Sequence, residues 1–345
     1  MARKLFLLAA GVVLFTAPAW GDSVADFYKG KTVRIVVGFG PGGTTDTTTR
    51  LLAHVLSKHI PGNPRIVVQN KPGGGSMLAA NTVFNNEPKD GTVIVALSSD
   101  LVLKQARGEP GIRFDAKKLQ WLGSAFDSSA MCAVRTDAGV NNINDAKKKK
   151  LVLSSFGKGG LSHLPAVVFN EVFGTQFKVV TGYPGGAAQR LAVKNGEVQG
   201  FCTTFQTAKG TEAGMFEGPG KCCRVLIIAG TKKEDHPFLD GVPAAGQLAK
   251  KLGKSEAQLA MLSAMNAPNR ISIPHALPPG VPKERVKALR DAFAKSYSDP
   301  EFRKLTDKAG MEVIPKNGEQ VTVIVDELLA TPKPVLENLK KLANK

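Results

Sequence analysis

The feature that most constrains this chain is a repeated order of apolar run, glycine-rich turn and amphipathic segment. The first copy begins at Val33–Val37, where only Arg34 is polar, passes through GFGPGG and continues into leucines and valines at helical spacing. A mostly apolar strand is typical of a parallel sheet covered on both faces. Apolar residues three and four positions apart indicate a helix. Residues 33–60 therefore predict one strand–loop–helix unit.

The same order recurs along the chain to about residue 229. Further strands are predicted at Arg65–Val68, Thr92–Leu97, Met131–Val134, Leu151–Leu153, Phe177–Val180, Val198–Phe201 and Val225–Ala229. Helical patterns separate many of these strands, and the tail is predicted to be helical after a proline-rich stretch that ends at Pro282. Such alternation predicts an α/β fold with a mainly parallel sheet.

The first residues have the layout of a secretory signal peptide. Arg3 and Lys4 precede the apolar run Leu5–Phe15, and small residues follow up to Gly21. A basic, then apolar, then small order marks an export signal, and the run is shorter than the roughly 20 residues of a membrane span. We expect residues 1–21 to be removed and the protein to be exported.

About 325 residues then remain, which at roughly 100–200 residues per domain predicts two domains. We expect the first to comprise residues 22–128 together with about 266–345, and the second to comprise residues 129–265. The C-terminal helices are thus expected to return to the first domain.

The chain is strongly basic, with a formal charge of +17 that falls to +15 once Arg3 and Lys4 are removed. A basic balance favours anionic partners, whether nucleic acid, an anionic surface or small anions. Nucleic-acid readers add stacking aromatics or a clustered basic face. Here aromatics are only 6% and the basic residues are scattered, apart from Lys147–Lys150. Since export is also expected, we predict small anionic ligands and no nucleic acid.

Cysteine and histidine spacing argues against a metal or redox site. The cysteines are Cys132, Cys202, Cys222 and Cys223. Export permits disulfides and four cysteines allow three pairings; a bond between the adjacent Cys222 and Cys223 ranks last because it is strained. No pair has C-x-x-C spacing and no histidines have H-x-x-x-H spacing, so we expect neither a metal nor a cofactor. Buried thiols or one structural bridge are favoured over catalytic cysteines.

The glycine loop at residues 38–43 matches G-x-G-x-x-G, but its surroundings argue against a nucleotide. A dinucleotide site needs an acid roughly 20 residues further on, where this chain has Gln69 and Asn70. A phosphate-binding P-loop ends in Gly-Lys-Ser/Thr, whereas Thr44 follows Gly43 directly.

The loop offers instead an anion site made of backbone. Glycine lets the chain approach a ligand closely, and the first turn of a helix presents unpaired N–H groups at the positive end of its dipole. Tight packing would explain a single loop equally well. The pattern recurs, however, at Gly157–Gly160 and Tyr183–Gly186. Such loops from two facing domains would converge on one carboxylate or phosphate.

Signatures of catalysis are weak. There is no G-x-S-x-G elbow, Ser162 and His163 are merely neighbours in sequence, and Asp46 is explained as an acid in the first turn of a helix. We assign no catalytic residue. A binding protein is therefore favoured over an exported α/β enzyme that acts on a carboxylate or phosphate, and over a sensor with a membrane signalling partner.

An ordered set of motifs resembles the substrate-binding proteins of tripartite tricarboxylate transporters, the Bug family. The motifs are VRIVVGFGPGGTTD, VVQNKPGGGS, PKDGTVIVALSSD, SSFGKGGLSHL, GYPGG, NGEVQG, HPFLDGVPAAGQL and PPGVPKERVKAL. The resemblance implies a periplasmic binding protein of type II-like architecture, with two α/β domains and a ligand cleft between them. It implies as ligand an organic carboxylate, either a di- or tricarboxylate or an aromatic acid. It also implies transporter subunits as membrane partners, and we expect a monomer.

By the same resemblance, backbone and small polar groups of the glycine loops hold the ligand. The expected ligand-binding residues are Phe39, Gly40, Gly42, Gly43, Thr44, Ser98, Ser155, Gly157, Gly159, Gly160, His163, Tyr183, Gly185 and Thr203.

Some positions depart from the family pattern. Gly160 stands where a serine is usual, and Pro184 stands where a lysine is common. Cys202 and Thr203 replace an aspartate that meets ligand amines, so amino-acid ligands are less expected. NAPNRISIP replaces a tryptophan-bearing segment, and the far end of the pocket is expected to differ.

Overall fold

The apolar runs of the sequence form the strands of two separate sheets. The computed structural model of the chain describes residues 23–230 and 235–344. The predicted signal peptide, residues 1–21, lies outside the described residues. Within the described part, no helix is both long and apolar enough to span a membrane.

The first sheet combines the early strands with two late ones. Its strands are β1 (Thr32–Val37), β2 (Arg65–Asn70), β3 (Val93–Ala96), β4 (Gln120–Phe126), β10 (Ser272–Leu277) and β11 (Lys316–Asn317). They lie in the order β11-β4-β10-β3-β1-β2. β1 pairs in parallel with β2 and β3, whereas β10 runs antiparallel to β3 and β4.

The second sheet is built from the middle of the chain. Its strands are β5 (Ala130–Arg135), β6 (Leu151–Ser155), β7 (Phe177–Thr181), β8 (Gly200–Thr204) and β9 (Cys223–Ile228). They lie in the order β7-β6-β8-β5-β9. β6 is parallel to β7 and β8, and β5 is antiparallel to β8 and β9.

Both sheets are therefore mixed, whereas the sequence predicts a mainly parallel sheet. The strand–helix–strand units do give parallel pairs. β5 and β10 differ because each enters its sheet directly from the other half of the molecule. A strand that arrives without a crossover helix from its neighbour is free to pair in the antiparallel direction.

The helices cover both faces of each sheet. They are α1 (Val24–Tyr28), α2 (Thr44–Leu56), α3 (Met77–Asn86), α4 (Asp100–Ala106), α5 (Leu164–Phe173), α6 (Gly186–Lys194), α7 (Phe205–Lys209), α8 (Ala213–Phe216), α9 (Ala245–Lys251), α10 (Glu256–Asn266), α11 (Lys283–Ser298), α12 (Pro300–Lys308), α13 (Gly318–Leu329) and α14 (Lys333–Asn344).

Strand β1 shows why the strands are apolar on both sides. Val33, Ile35 and Val37 lie in one buried cluster, which includes residues of α2 and α11, while Val36 lies in another cluster with residues of α3 and α13. Alternate residues of a strand point to opposite faces of the sheet. Burial on both faces therefore selects apolar residues at nearly every position of the strand.

The last helix does not follow the other C-terminal helices. α11 and α13 pack on the first sheet at β4, but α14 packs on α5 and α10 beside the second sheet. Leu336, Leu339 and Leu342 are buried in the hydrophobic core beside the second sheet. The expectation that all C-terminal helices return to the first domain is therefore wrong for α14, because its apolar stripe completes the other core.

The chain crosses between the sheets at residues 127–129 and again at residues 267–271, and a third crossing precedes α14. Ser128 N–H donates to the Asn269 carbonyl at 3.0 Å, which ties the first two crossings together. Ala130 N–H donates to Asn266 Oδ1 at 2.9 Å. Paired short crossings of this kind are typical of hinges between two lobes. The exact domain boundaries remain a prediction.

Candidate ligand-binding site

The first glycine loop, residues 38–43, is shaped by an acid of helix α2. Asp46 accepts a hydrogen bond from the Gly42 amide at 2.9 Å, and Asn70 and Arg50 donate to its other oxygen. Burial raises the pKa of Asp46, but the hydrogen bonds outweigh burial and hold it below its ordinary value. Asp46 therefore stays ionised and fixes the loop at the start of the helix.

The start of α2 directs backbone amides into the cleft between the sheets. Gly43 is the N-cap and has no side chain with which to cap the helix. The first N–H groups of a helix have no acceptor within it. The amides of Gly43, Thr44 and Thr45 thus lie at the positive end of the helix dipole, where an anion is favoured.

The first and third glycine loops touch across the cleft. The Gly40 amide, predicted to bind ligand, donates instead to the Pro184 carbonyl at 3.0 Å. A side-chain carbon on Gly185 would lie 3.3 Å from the Gly40 nitrogen, and one on Gly43 would lie 3.4 Å from the Gly186 nitrogen. The starts of α2 and α6 are therefore adjacent, and the cleft is closed at this point.

The second glycine loop, residues 157–160, faces helix α4 of the first sheet. Arg107 donates to the Gly159 carbonyl at 2.8 Å. A side-chain carbon on Gly160 would lie 3.1 Å from Asp100 Oδ2. This loop therefore forms a contact between the lobes and does not border the space beside α2.

His163 is buried just before α5 and is neutral at pH 7. Burial, together with the positive charges of Lys158, Lys104 and Arg107, lowers its pKa to about 4. A neutral imidazole adds no positive charge to an anion site. The neighbouring Ser162 instead reaches the cleft, where its Oγ lies 2.9 Å from Ser155 Oγ.

A cavity of about 90 Å³ lies between the two sheets beside the start of α2. Its polar wall consists mainly of hydroxyl groups, which belong to Thr44, Thr45, Ser98, Ser99, Ser162, Thr203, Thr204, Thr207 and Ser272. Its apolar wall consists of Phe39, Leu97, Phe126, Phe156, Leu161, Ile273 and Met311. Phe39 and Phe156 come from different sheets, and their ring centroids are 5.3 Å apart. Both lobes therefore enclose one small space.

Five of the predicted site residues line this cavity: Phe39, Gly43, Thr44, Ser98 and Thr203. The other nine lie outside its lining: Gly40, Gly42, Ser155, Gly157, Gly159, Gly160, His163, Tyr183 and Gly185. Most of the nine belong to loops that shape the cleft or join the lobes. Whether they contact a ligand stays a prediction.

No lysine, arginine or histidine occurs among the described residues that line the cavity. An anion would therefore be held by amides and hydroxyls. Two of the lining residues, Ser99 and Glu212, each have a side-chain oxygen, Oγ and Oε2, that is buried without a hydrogen-bond partner in the described part of the chain. Buried polar atoms normally have a partner. Both residues line the space in which a polar ligand would lie.

Glu212 is the main residue that the sequence reasoning missed. Its side chain is buried, and burial raises its pKa to about 7, against the charge of Arg190 and a hydrogen bond with Thr203 that lower it. Glu212 lies in the turn between α7 and α8. No periodicity or motif marks that turn, so spacing alone gives no signal.

Ile273 was not among the site residues expected from the sequence, although the segment containing Ile273 departs from the family pattern. Its φ of 61° lies in the left-handed region, which is unusual for a β-branched residue. Ser272 and Ile273 both line the cavity. The segment NAPNRISIP therefore does reach one wall of the pocket.

A disulfide joins Cys132 and Cys202, which face each other on β5 and β8. Cys202 also lines the cavity, so the disulfide fixes part of the cavity wall. Cys222 and Cys223 remain free thiols, and burial raises the pKa of Cys223. The described cysteines thus form one bridge and two free thiols, and the strained bond between Cys222 and Cys223 is absent. The described residues contain no cluster of side chains suited to hold a metal ion.

Two α/β lobes around a closed cavity that lacks a basic side chain define the two-domain fold of periplasmic binding proteins. The structure of the periplasmic binding protein BugD has the same fold, with a TM-score of 0.72 at 22% identity, covering 92% of this chain and 99% of that one. MatC from Rhodopseudomonas palustris with bound malate has a TM-score of 0.69 at 18% identity, covering 91% of this chain and 99% of that one. The predicted fold class is confirmed.

Residues 48–341 match the tripartite tricarboxylate transporter family receptor, and the chain belongs to this family. A UPF0065 protein encoded in the gbd 5' region of Cupriavidus necator is 26% identical to it, over 98% of each chain. The resemblance drawn from the motifs is thereby confirmed. The family and its solved relatives are binding receptors, so the prediction of a non-enzymatic protein is confirmed as well.

Proposed function

We propose that this receptor captures an organic carboxylate, either a di- or tricarboxylate or an aromatic acid, and delivers it to a tripartite tricarboxylate-type membrane transporter. The observation that carries the proposal is the cavity at the start of α2, walled by hydroxyls and lacking a basic side chain. Neutral donors and a helix dipole stabilise a carboxylate without a counter-ion. The malate bound in MatC agrees with this ligand class.

The chemistry of this protein is selection by closure. A ligand that contacts both walls of the cavity favours the closed state over the open one. Hydrogen bonds to a charged group contribute roughly 1.5–3 kcal/mol each. Three or four of them, after the cost of binding, suffice for the ~8 kcal/mol of a micromolar complex.

We also propose that the protein works in the periplasm after removal of residues 1–21. The basic, apolar and small residues at its start support this location. A periplasmic site gives the receptor access to solutes before they reach the inner membrane. It also allows the Cys132–Cys202 bridge to form in an oxidising compartment.

A thermal-shift panel of mono-, di- and tricarboxylates, aromatic acids and inorganic phosphate tests the ligand class. An acid present at about 100 times its dissociation constant should add ~2.7 kcal/mol to the unfolding free energy. For a chain of this size, that raises the melting temperature by at least a few degrees. The acid should be recovered unchanged. A melt that responds to phosphate and to no carboxylate would overturn the proposal.

A further inference from the structure

Glu212 is the one ionisable group among the described residues that line the cavity. The residue is 2% exposed, and Oε2 lacks a hydrogen-bond partner within the described part of the chain. A buried polar atom in a working protein is expected to find a partner. Because Glu212 lines the cavity, a ligand that enters beside it is a partner that this site can offer to Oε2.

The Glu212 carboxyl lies where two helices begin. A side-chain carbon on Gly186, the first residue of α6, would lie 3.9 Å from Glu212 Oε1. The same glycine adjoins Gly43 at the start of α2. Both helix starts favour negative charge and disfavour an ammonium group. A ligand carboxylate at the start of α2 therefore has Glu212 as its neighbour.

The groups around Glu212 leave it as the cavity's proton acceptor near neutral pH. Arg190 faces it from α6, and Thr203 on β8 hydrogen-bonds to it. Cys223 on β9 is a buried thiol with a raised pKa and stays protonated.

We propose that Glu212 takes up one proton from solvent when a carboxylate enters the cavity, and that its new O–H group donates to an oxygen of that carboxylate. This inference rests on the proposed function. Two carboxylates that share a site repel each other, so binding of the ligand raises the affinity of Glu212 for a proton. The O–H···O⁻ hydrogen bond that results is short and strong. Protonation of Glu212 thereby gives a ligand carboxylate a hydrogen-bond donor where an ionised Glu212 would repel it.

Calorimetric titration with malate at pH 7.5 tests the proton uptake directly. If malate gives no thermal shift, the titration uses the panel acid that gives the largest one. The titration is run in two buffers whose ionisation heats differ, while the acid itself stays fully ionised. The observed heats should differ by the ionisation heat multiplied by a proton number that approaches one. Equal heats in the two buffers would overturn the inference.

The variant Glu212→Gln separates the proton from the hydrogen bond, because an amide donates without titrating. It should take up no proton, and its affinity should not depend on pH. The affinity of the wild type should fall by about tenfold per pH unit above pH 7. The control Glu197→Gln removes an exposed carboxyl of the same lobe and should behave as the wild type. An affinity of the wild type that rises with pH would indicate a cationic group at Glu212 and overturn the inference.

Failure of the inference is distinct from failure of the proposed function. If no acid shifts the melt, the proposed function fails; if acids bind without proton uptake, only the inference fails. The stability of the ligand-free protein as a function of pH gives a second test. A pKa of Glu212 raised from 4.5 to about 7 removes stability as pH rises through this range. Glu212→Gln should therefore become more stable relative to the wild type from pH 4.5 to 7, and parallel pH profiles would count against a perturbed Glu212.

Discussion

At the scale of single residues, glycines shape the site as much as residues with side chains do. Gly43 and Gly185 let two loops approach until backbone lies against backbone, and Gly186 adjoins Gly43. The amides at the start of α2 then face a closed space in place of open solvent. Hydrogen bonds to an anion are stronger in such a space because water no longer competes for them.

Replacement of Gly43 by leucine is expected to abolish carboxylate binding while the protein stays folded. The first added carbon would already touch the start of α6, at 3.4 Å from the Gly186 nitrogen, so the rest of the leucine side chain would fill the space at the first turn of α2. We expect the thermal shift with each panel acid to disappear.

Gly214→Leu is the matched control for Gly43→Leu. Gly214 is exposed, and an added carbon there meets nothing within 4 Å. This variant should retain the full thermal shift. Retention of binding by Gly43→Leu would show that the start of α2 does not hold the ligand.

The sequence predicts which loops form the site better than it predicts which of their residues face the cavity. Glycine clusters identify the loops, because close backbone approach requires them. The direction of each loop depends on the closing of the lobes, and residues 157–160 consequently meet α4 and not the cavity. Glu212 reaches the cavity through tertiary folding of a short turn, which leaves no periodic pattern to find.

At the scale of secondary-structure elements, hydrophobic pattern predicts the strands and most helices but not their partners. The apolar stripe of α14 is visible in the sequence, yet nothing in it states which core it completes. The structure places Leu336, Leu339 and Leu342 in the core of the second sheet. Parallel and antiparallel pairing is likewise decided by how the chain enters a sheet, as in β5 and β10.

Leu339→Ala should destabilise the protein by about 2–5 kcal/mol, since it removes a fully buried side chain and leaves a cavity. Lys341→Ala on the exposed face of α14 should change stability by no more than about 0.5 kcal/mol. Urea unfolding of both variants measures the difference. Equal stabilities would show that α14 does not pack on α5 and α10 in solution.

At the scale of the whole molecule, hydrogen bonds at two places hold the lobes together. The Arg107 side chain is fully buried, pairs with Glu109 of its own lobe, and donates to the Gly159 carbonyl of the other. At the cavity itself, Thr44 and Thr211 join the lobes through hydroxyls 2.7 Å apart. Opening breaks both contacts, so each of them biases the equilibrium towards the closed state.

Arg107→Gln should weaken carboxylate binding although Arg107 does not line the cavity. Ligand affinity scales with the fraction of protein in the closed state. A hydrogen bond from a charged donor contributes roughly 1.5–3 kcal/mol, so we expect the dissociation constant to rise by about tenfold or more. X-ray scattering of the ligand-free variant should give a larger radius of gyration than the wild type. Lys118→Gln is the control, because the Lys118 side chain is 69% exposed on the same lobe. An unchanged dissociation constant together with an unchanged radius would mean that the Arg107–Gly159 contact does not bias closure.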